Sequence, residues 1–169
     1  MRGTPSLQGI REALLELLGG DPMSVLFGKD VGAFGGAFKV SEGMQAKFGE
    51  DRVFDTPICE SAMLGAAIGM ATQGMHPIVE IQFADFVTTA MHQLLSNAGT
   101  RHYRTGDAVP MVVRLPSGGG TGGGPCHSAE LEPFFCHMPG IQVVSPAFPR
   151  DARSLLLSAA TDPHPLLSI

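Results

Sequence analysis

Residues 53–86 read VFDTPICESAMLGAAIGMATQGMHPIVEIQFADF, and this stretch decides the fold class. Val53-Phe54 reads as the end of a strand, and Pro57 bars any helix before Ile58. The run from Ser61 to Ala71 is small and apolar throughout, the composition expected of a helix packed tightly on all sides. His76 to Ile81 follows as an apolar strand. Strand, helix and strand in alternation predict part of a mostly parallel sheet covered by helices. Glu60 then falls where a strand hands over to a buried helix, the position at which open α/β sheets hold ligands. Local context also offers a simpler account, a first-turn acid facing the positive end of a helix dipole.

The pattern continues on either side. Upstream, Ile10, Ala13, Leu14, Leu17 and Leu18 repeat at helical spacing and are closed by Gly19-Gly20. Ser24 to Gly28 reads as a buried strand, and residues 29–50 as a loop with one helical turn. Downstream, Phe86 to Tyr103 reads as one long helix with Val87, Met91, Leu94, Leu95 and Ala98 on its apolar side. Met111 to Leu115 is a strand, residues 117–128 a glycine-rich loop, and residues 129–137 hold a short helix. A strand at Ile141–Val144, a helix from Asp151 to Ala160 and a last strand from Leu166 complete the series. The expected architecture is a mostly parallel sheet with helices on both faces, in one domain spanning residues 1–169. No repeat or linker divides it.

Bulk properties narrow the function classes. With 11 basic and 16 acidic residues the formal charge is −5, which argues against a nucleic-acid or anionic-membrane surface. No apolar run reaches the ~20 residues of a membrane span. Met1 to Pro5 lacks the basic-then-apolar layout of a secretory signal. Cys59, Cys126 and Cys136 make neither an even disulfide set nor a zinc spacing, so they read as free thiols and place the protein in the cytoplasm. The glycine run SGGGTGGG lacks the lysine of a phosphate-binding loop and reads as a flexible active-site loop.

Several long motifs occur together and in register: FGKDVGAFGGAFKVSEGMQAKFGEDRVFDTP, TPICESAMLGAAIGMA, EIQFADF, RHYRTGD, CHSAELEPFFCHMPGIQVVSP and DARSLLLSAATDPHP. From about Ile10 to Ile169 the chain resembles the beta subunit of the thiamine diphosphate-dependent decarboxylating component of 2-oxo acid dehydrogenase complexes. EIQFADF and RHYRTGD look closer to branched-chain than to pyruvate members. The resemblance implies the three-layer thiamine diphosphate-binding fold in its transketolase-like, pyrimidine-binding form. It also implies that a second, C-terminal domain is missing. Glu60 matches the carboxylate that hydrogen-bonds the aminopyrimidine and favours its imino tautomer, a role suited to a buried, apolar-flanked acid. Phe86 matches the ring that stacks on the aminopyrimidine, and Ile58 and Gln82 line the same pocket. His127 stands at the family's His-Ser motif, as an acid or base beside the cofactor. Met111, Val112, Ala159, Asp162 and His164 match a potassium site built largely from backbone carbonyls.

An absence sets the partner expectation. Thiamine enzymes hold magnesium diphosphate with Gly-Asp-Gly followed by paired Asn, and Gly106-Asp107 continues here with Ala108. An alpha subunit would therefore supply the magnesium half of the site. A second beta subunit would complete an alpha2beta2 assembly, and a lipoyl-bearing acyltransferase would accept the product. Lys29 departs from the family, which usually has an acid there. Two other readings stand beside this one: a transketolase or deoxyxylulose phosphate synthase half-enzyme, and a non-catalytic assembly fragment.

Overall fold

The computed structural model describes residues 5–120 and 122–169; residues 1–4 and Thr121 of the glycine run lie outside them. Six strands form one sheet: β1 (Ser24–Gly28), β2 (Val53–Asp55), β3 (His76–Glu80), β4 (Val112–Arg114), β5 (Gln142–Val144) and β6 (Leu166–Ser168). Their order is β2-β1-β3-β4-β6-β5, and every pairing is parallel. The expected mostly parallel sheet is thus wholly parallel among the described residues.

Strand alternation sorts the apolar side chains into two layers. On one face Val25, Phe27, Val79, Val113 and Leu167 pack against α3 (Glu60–Thr72) and the helical run that begins at Ala84. On the other face Leu26, Ile78, Val112 and Leu166 meet α1 (Pro5–Gly20), α2 (Met44–Phe48) and α6 (Pro149–Thr161). Covering both faces is what allows runs as apolar as Ser24–Gly28, every residue of which is buried.

Two sequence-based expectations need correction. The helix expected from Phe86 to Tyr103 is composite: a 3-10 segment (Ala84–Ala90), a π segment (Gln93–Ala98) and then α4 (Gly99–Thr105); the short helix expected within residues 129–137 is α5 (Glu132–Cys136). Changing the number of residues per turn rotates the apolar stripe. Val87, Leu94 and Ala98 are buried, while Leu95 is turned outward and exposed. Nor is α3 packed on all sides. It buries Met63, Leu64, Ala67, Ile68 and Ala71 but exposes Ala62, Ala66 and Gly69. Because both faces are small and apolar, the sequence carries no periodicity to tell them apart.

Two charges lie inside the sheet. Glu80 is 0% and Arg114 is 5% exposed. They are register partners on β3 and β4 and form an ion pair. Glu80 closes the apolar run of β3 and Arg114 that of β4, so the pair sits at the carboxyl end of the sheet.

Candidate functional site

The strand order reverses between β1 and β3, because the chain leaves β1 for β2 on one side and returns to β3 on the other. Open parallel sheets bind ligands at such a point, beyond the carboxyl ends of the strands. A cleft of ≈ 370 Å³ lies there. Lys29 and Asp30 reach it from the turn after β1, Ile58 and Glu60 from the turn after β2, and Ile81, Gln82, Phe83 and Phe86 from the segment after β3. Close approach of the strands depends on Gly28, where a Cβ would collide with the carbonyl oxygen of Glu80. Two other cavities, of ≈ 400 and ≈ 470 Å³, flank Pro163. Only the first cleft gathers carboxylates, an amide, aromatic rings and an imidazole in one place.

Glu60 opens α3, whose N-terminus has no side-chain cap. Its Oε2 accepts a hydrogen bond from the Thr89 hydroxyl at 3.1 Å. The expectation of a buried carboxylate is not met: Glu60 is half-buried. The reason is its position on the rim, beside Ile58, which is 68% exposed. Phe86 is partly buried and packs on the core of the α3 face. Its ring stands edge to face with His127, centroids 5.4 Å apart, and Phe83 meets the same imidazole at 5.1 Å. His127 Nδ1 lies 3.0 Å from the Gly123 carbonyl. A carbonyl only accepts, so in the neutral ring Nδ1 carries the proton and Nε2 is the free basic nitrogen.

Gln82 Nε2 donates to Glu80 Oε1 at 2.8 Å and lies 3.3 Å from the Lys29 carbonyl. With its NH₂ so committed, the Gln82 amide oxygen is left as an acceptor. The Lys29 ammonium pairs with Asp30 at 3.2 Å, and both side chains are about half exposed. Asp30 itself has φ 56°, in the left-handed region that a short polar side chain tolerates.

The structure therefore brings Ile58, Glu60, Gln82, Phe86 and His127 together in one cleft; it adds Glu80 and Phe83 to the lining and Thr89 as the partner of Glu60. Glu80 carried a readable signal: a lone carboxylate inside an apolar strand requires a partner, and Arg114 is the matching lone cation in VVRL. Phe83 and Thr89 carried none.

The other five residues singled out in the sequence lie elsewhere. Met111 and Val112 stand at the amino end of β4, and Ala159, Asp162 and His164 lie across the turn from α6 to β6. The Met111 carbonyl accepts the Leu166 N–H at 3.0 Å and the Ala159 carbonyl the Asp162 N–H at 3.3 Å. The Asp162 carboxylate accepts the His164 N–H at 2.8 Å and the Gln142 amide at 3.0 Å. These bonds, the backbone one foremost, hold the Asp162 carboxyl below the usual carboxylate range. Among the described residues no three His, Cys, Asp or Glu side chains gather as a metal group, so any ion here would rest mainly on backbone oxygens. No helix among them is long and apolar enough to cross a membrane.

Residues 5–168 match the family of transketolase pyrimidine-binding domains. The chain belongs to that family. It is 47% identical over 163 residues to the 2-oxoisovalerate dehydrogenase subunit beta of Pseudomonas aeruginosa, covering 95% of this chain and 47% of that one. It is 45% identical to the pyruvate dehydrogenase E1 component subunit beta of Acholeplasma laidlawii, covering 95% and 50%. The chain spans about half the length of the curated relatives it matches. Among solved structures, a chain described as a split-gene transketolase, inactive beta4 tetramer, superposes with a TM-score of 0.75 at 22% identity. That match covers 95% of this chain and 49% of the other, and it bears on the fold alone.

Proposed function

We propose that this domain is the pyrimidine-binding part of a 2-oxo acid dehydrogenase beta subunit. The enzyme would decarboxylate a branched-chain 2-oxo acid or pyruvate oxidatively and pass the acyl group to a lipoyl-bearing acyltransferase. The observation that carries this reading is the convergence of Glu60, Gln82, Phe86 and His127, from three separate segments, on the switch-point cleft. The names of its relatives point the same way.

The cleft fits the aminopyrimidine half of thiamine diphosphate. Glu60 Oε1 has no hydrogen-bond partner among the described residues, since only Oε2 is engaged by Thr89. Phe86 offers a ring for stacking, and Gln82 an oriented acceptor. When bound, the cofactor supplies the carbon nucleophile and electron sink for decarboxylation. Glu60 would exchange a proton with the pyrimidine ring nitrogen through Oε1. Phe86 would fix the plane of that ring, and Gln82 would accept from an amino group at its edge. His127 would donate or accept a proton at Nε2.

Among the described residues the diphosphate half has no counterpart. Asp107, the nearest sequence match, is already held by Arg101 and Thr105. An alpha subunit would supply that half together with magnesium. The uncovered apolar face of α3, Ala62, Ala66 and Gly69, supports packing against further subunits, including a second beta subunit in an alpha2beta2 assembly. The carbonyl-rich turn around Met111, Val112, Ala159, Asp162 and His164 would hold potassium, a hard ion that takes oxygen ligands. Three exposed free thiols support a reducing, cytoplasmic setting.

One observation favours a second reading, a non-catalytic assembly role: Lys29 places an ammonium in the cleft. Production with the alpha subunit of the same genome separates the two. The catalytic reading expects thiamine diphosphate-dependent turnover that falls by at least ~10²-fold in Glu60→Gln, the lower end of what a positioned acid or base contributes. Equal turnover in both proteins would remove Glu60 from its role. Turnover that arises only in Lys29→Glu would favour the assembly role. The reading frame beyond Ile169 decides whether these 169 residues are the whole subunit.

A further inference from the structure

We infer that Asp85 is a positioning residue that fixes the His127 loop over the cleft. Asp85 precedes Phe86, in the first turn of the 3-10 segment. Its Oδ1 accepts the backbone N–H of Ala129 at 3.2 Å, across 44 residues of sequence. The polar contacts of His127 itself are local: its N–H reaches the Gly124 carbonyl and its ring the Gly123 carbonyl. Among the described residues from Ser117 to Glu130, the Ala129 N–H is the only group hydrogen-bonded outside the segment.

A glycine-rich chain has high conformational entropy, and one long-range hydrogen bond two residues from the imidazole removes much of it where it matters. Gly118, Gly120, Gly122 and Gly124 all have positive φ, so the backbone itself is set for turning and not for order. The remaining restraint is the edge-to-face packing of His127 on Phe83 and Phe86. Asp85 thus ties the segment that carries the stacking ring to the segment that carries the imidazole. The other carboxylate oxygen, Oδ2, is buried without a hydrogen-bond partner. A half-satisfied carboxylate kept at this point is costly, which a structural role in the 3-10 turn alone would not require.

What His127 does there rests on the function proposed above; the tether does not. The test is proton NMR of the whole chain, with the His127 ring resonance assigned by its loss in His127→Gln. Between two phenyl rings, that resonance should be displaced from the position of a solvated histidine. Asp85→Ala should return it toward that position and speed hydrogen exchange at the Ala129 amide. Asp85→Asn, which keeps an acceptor oxygen, should retain the parent values of both. An undisplaced resonance in the parent, or a displaced one in a folded Asp85→Ala, overturns the inference. Should Asp85→Ala fail to fold, the Asn variant still decides: parent-like folding with a lost His127 displacement also overturns it. A second arm uses the complex with an alpha subunit. There Asp85→Ala should lower kcat with little change in the cofactor concentration needed for half-activity, and Asp85→Asn should restore it. If the parent complex shows no 2-oxo acid turnover, the proposed function fails while the NMR result stands.

Discussion

Glu80 and Arg114 face each other across β3 and β4 as register partners, and their ion pair lies directly beneath the cleft. Glu80 also takes the Gln82 amide, so the buried pair and the floor of the site share one carboxylate. Removing one member strands the other charge in an apolar interior. Arg114→Met alone should therefore destabilise the fold by about 3–5 kcal/mol, whereas replacing both members by apolar residues of similar volume should cost far less. Denaturant titration of the two single variants and the double variant measures this. A double variant as unstable as the sum of the singles would show that the charges do not act as a pair.

The layered parallel sheet was legible because each strand is a short apolar run such as SVLFG, bounded by Gly, Pro or Asp, and needs cover on both faces. The cleft was legible through motif resemblance at Glu60, Gln82, Phe86 and His127. The degree to which Glu60 is covered was not: residues 61–71 are apolar on every side, so nothing in them says which face a partner takes. The π segment that turns Leu95 outward is equally silent, because its residues fit an ordinary α-helical stripe. Asp85 carries no distinct signal in the sequence, because an Asp near a helix start has a routine explanation as a first-turn acid.

Isolated from partners, the chain should bind thiamine diphosphate weakly even with magnesium. The cleft offers contacts to the pyrimidine ring, while Asp107, the nearest candidate for the magnesium diphosphate, is engaged by Arg101 and Thr105. Calorimetry with and without an alpha subunit is the direct comparison. Micromolar affinity for the lone chain would require a diphosphate site that these residues do not provide.

Acid should weaken the fold at a definable place. Partial burial by itself works to raise the Asp21 carboxyl, but hydrogen bonds from His76, the Ser24 hydroxyl and the Met23 N–H outweigh it and hold the group below the usual carboxylate range. A carboxyl lowered in the folded state binds its proton more readily when unfolded. Its stabilisation is complete above the unfolded value and is lost as pH falls through the folded one. The stability gap between parent and Asp21→Asn should be widest near neutral pH and should close under acid. A gap independent of pH would show that the hydrogen bonds matter through geometry and not through charge.

His127→Ala should damage turnover more than cofactor binding. The imidazole meets Phe83 and Phe86 nearly at right angles, and its backbone N–H and Nδ1 are held by its own loop. Nε2 is left as the free nitrogen of a ring that lines the cleft, while stacking on the pyrimidine is proposed for Phe86 and not for His127. Loss of a positioned acid or base lowers rate by about 10²–10⁴-fold, whereas loss of a solvated loop histidine changes it little. Single-turnover kinetics in the complex with an alpha subunit should show slowed decarboxylation or acyl transfer at an unchanged cofactor requirement. A variant with normal rates for both steps would leave His127 as a packing residue on two aromatic rings, and Glu60 as the one proton-exchanging side chain of the cleft.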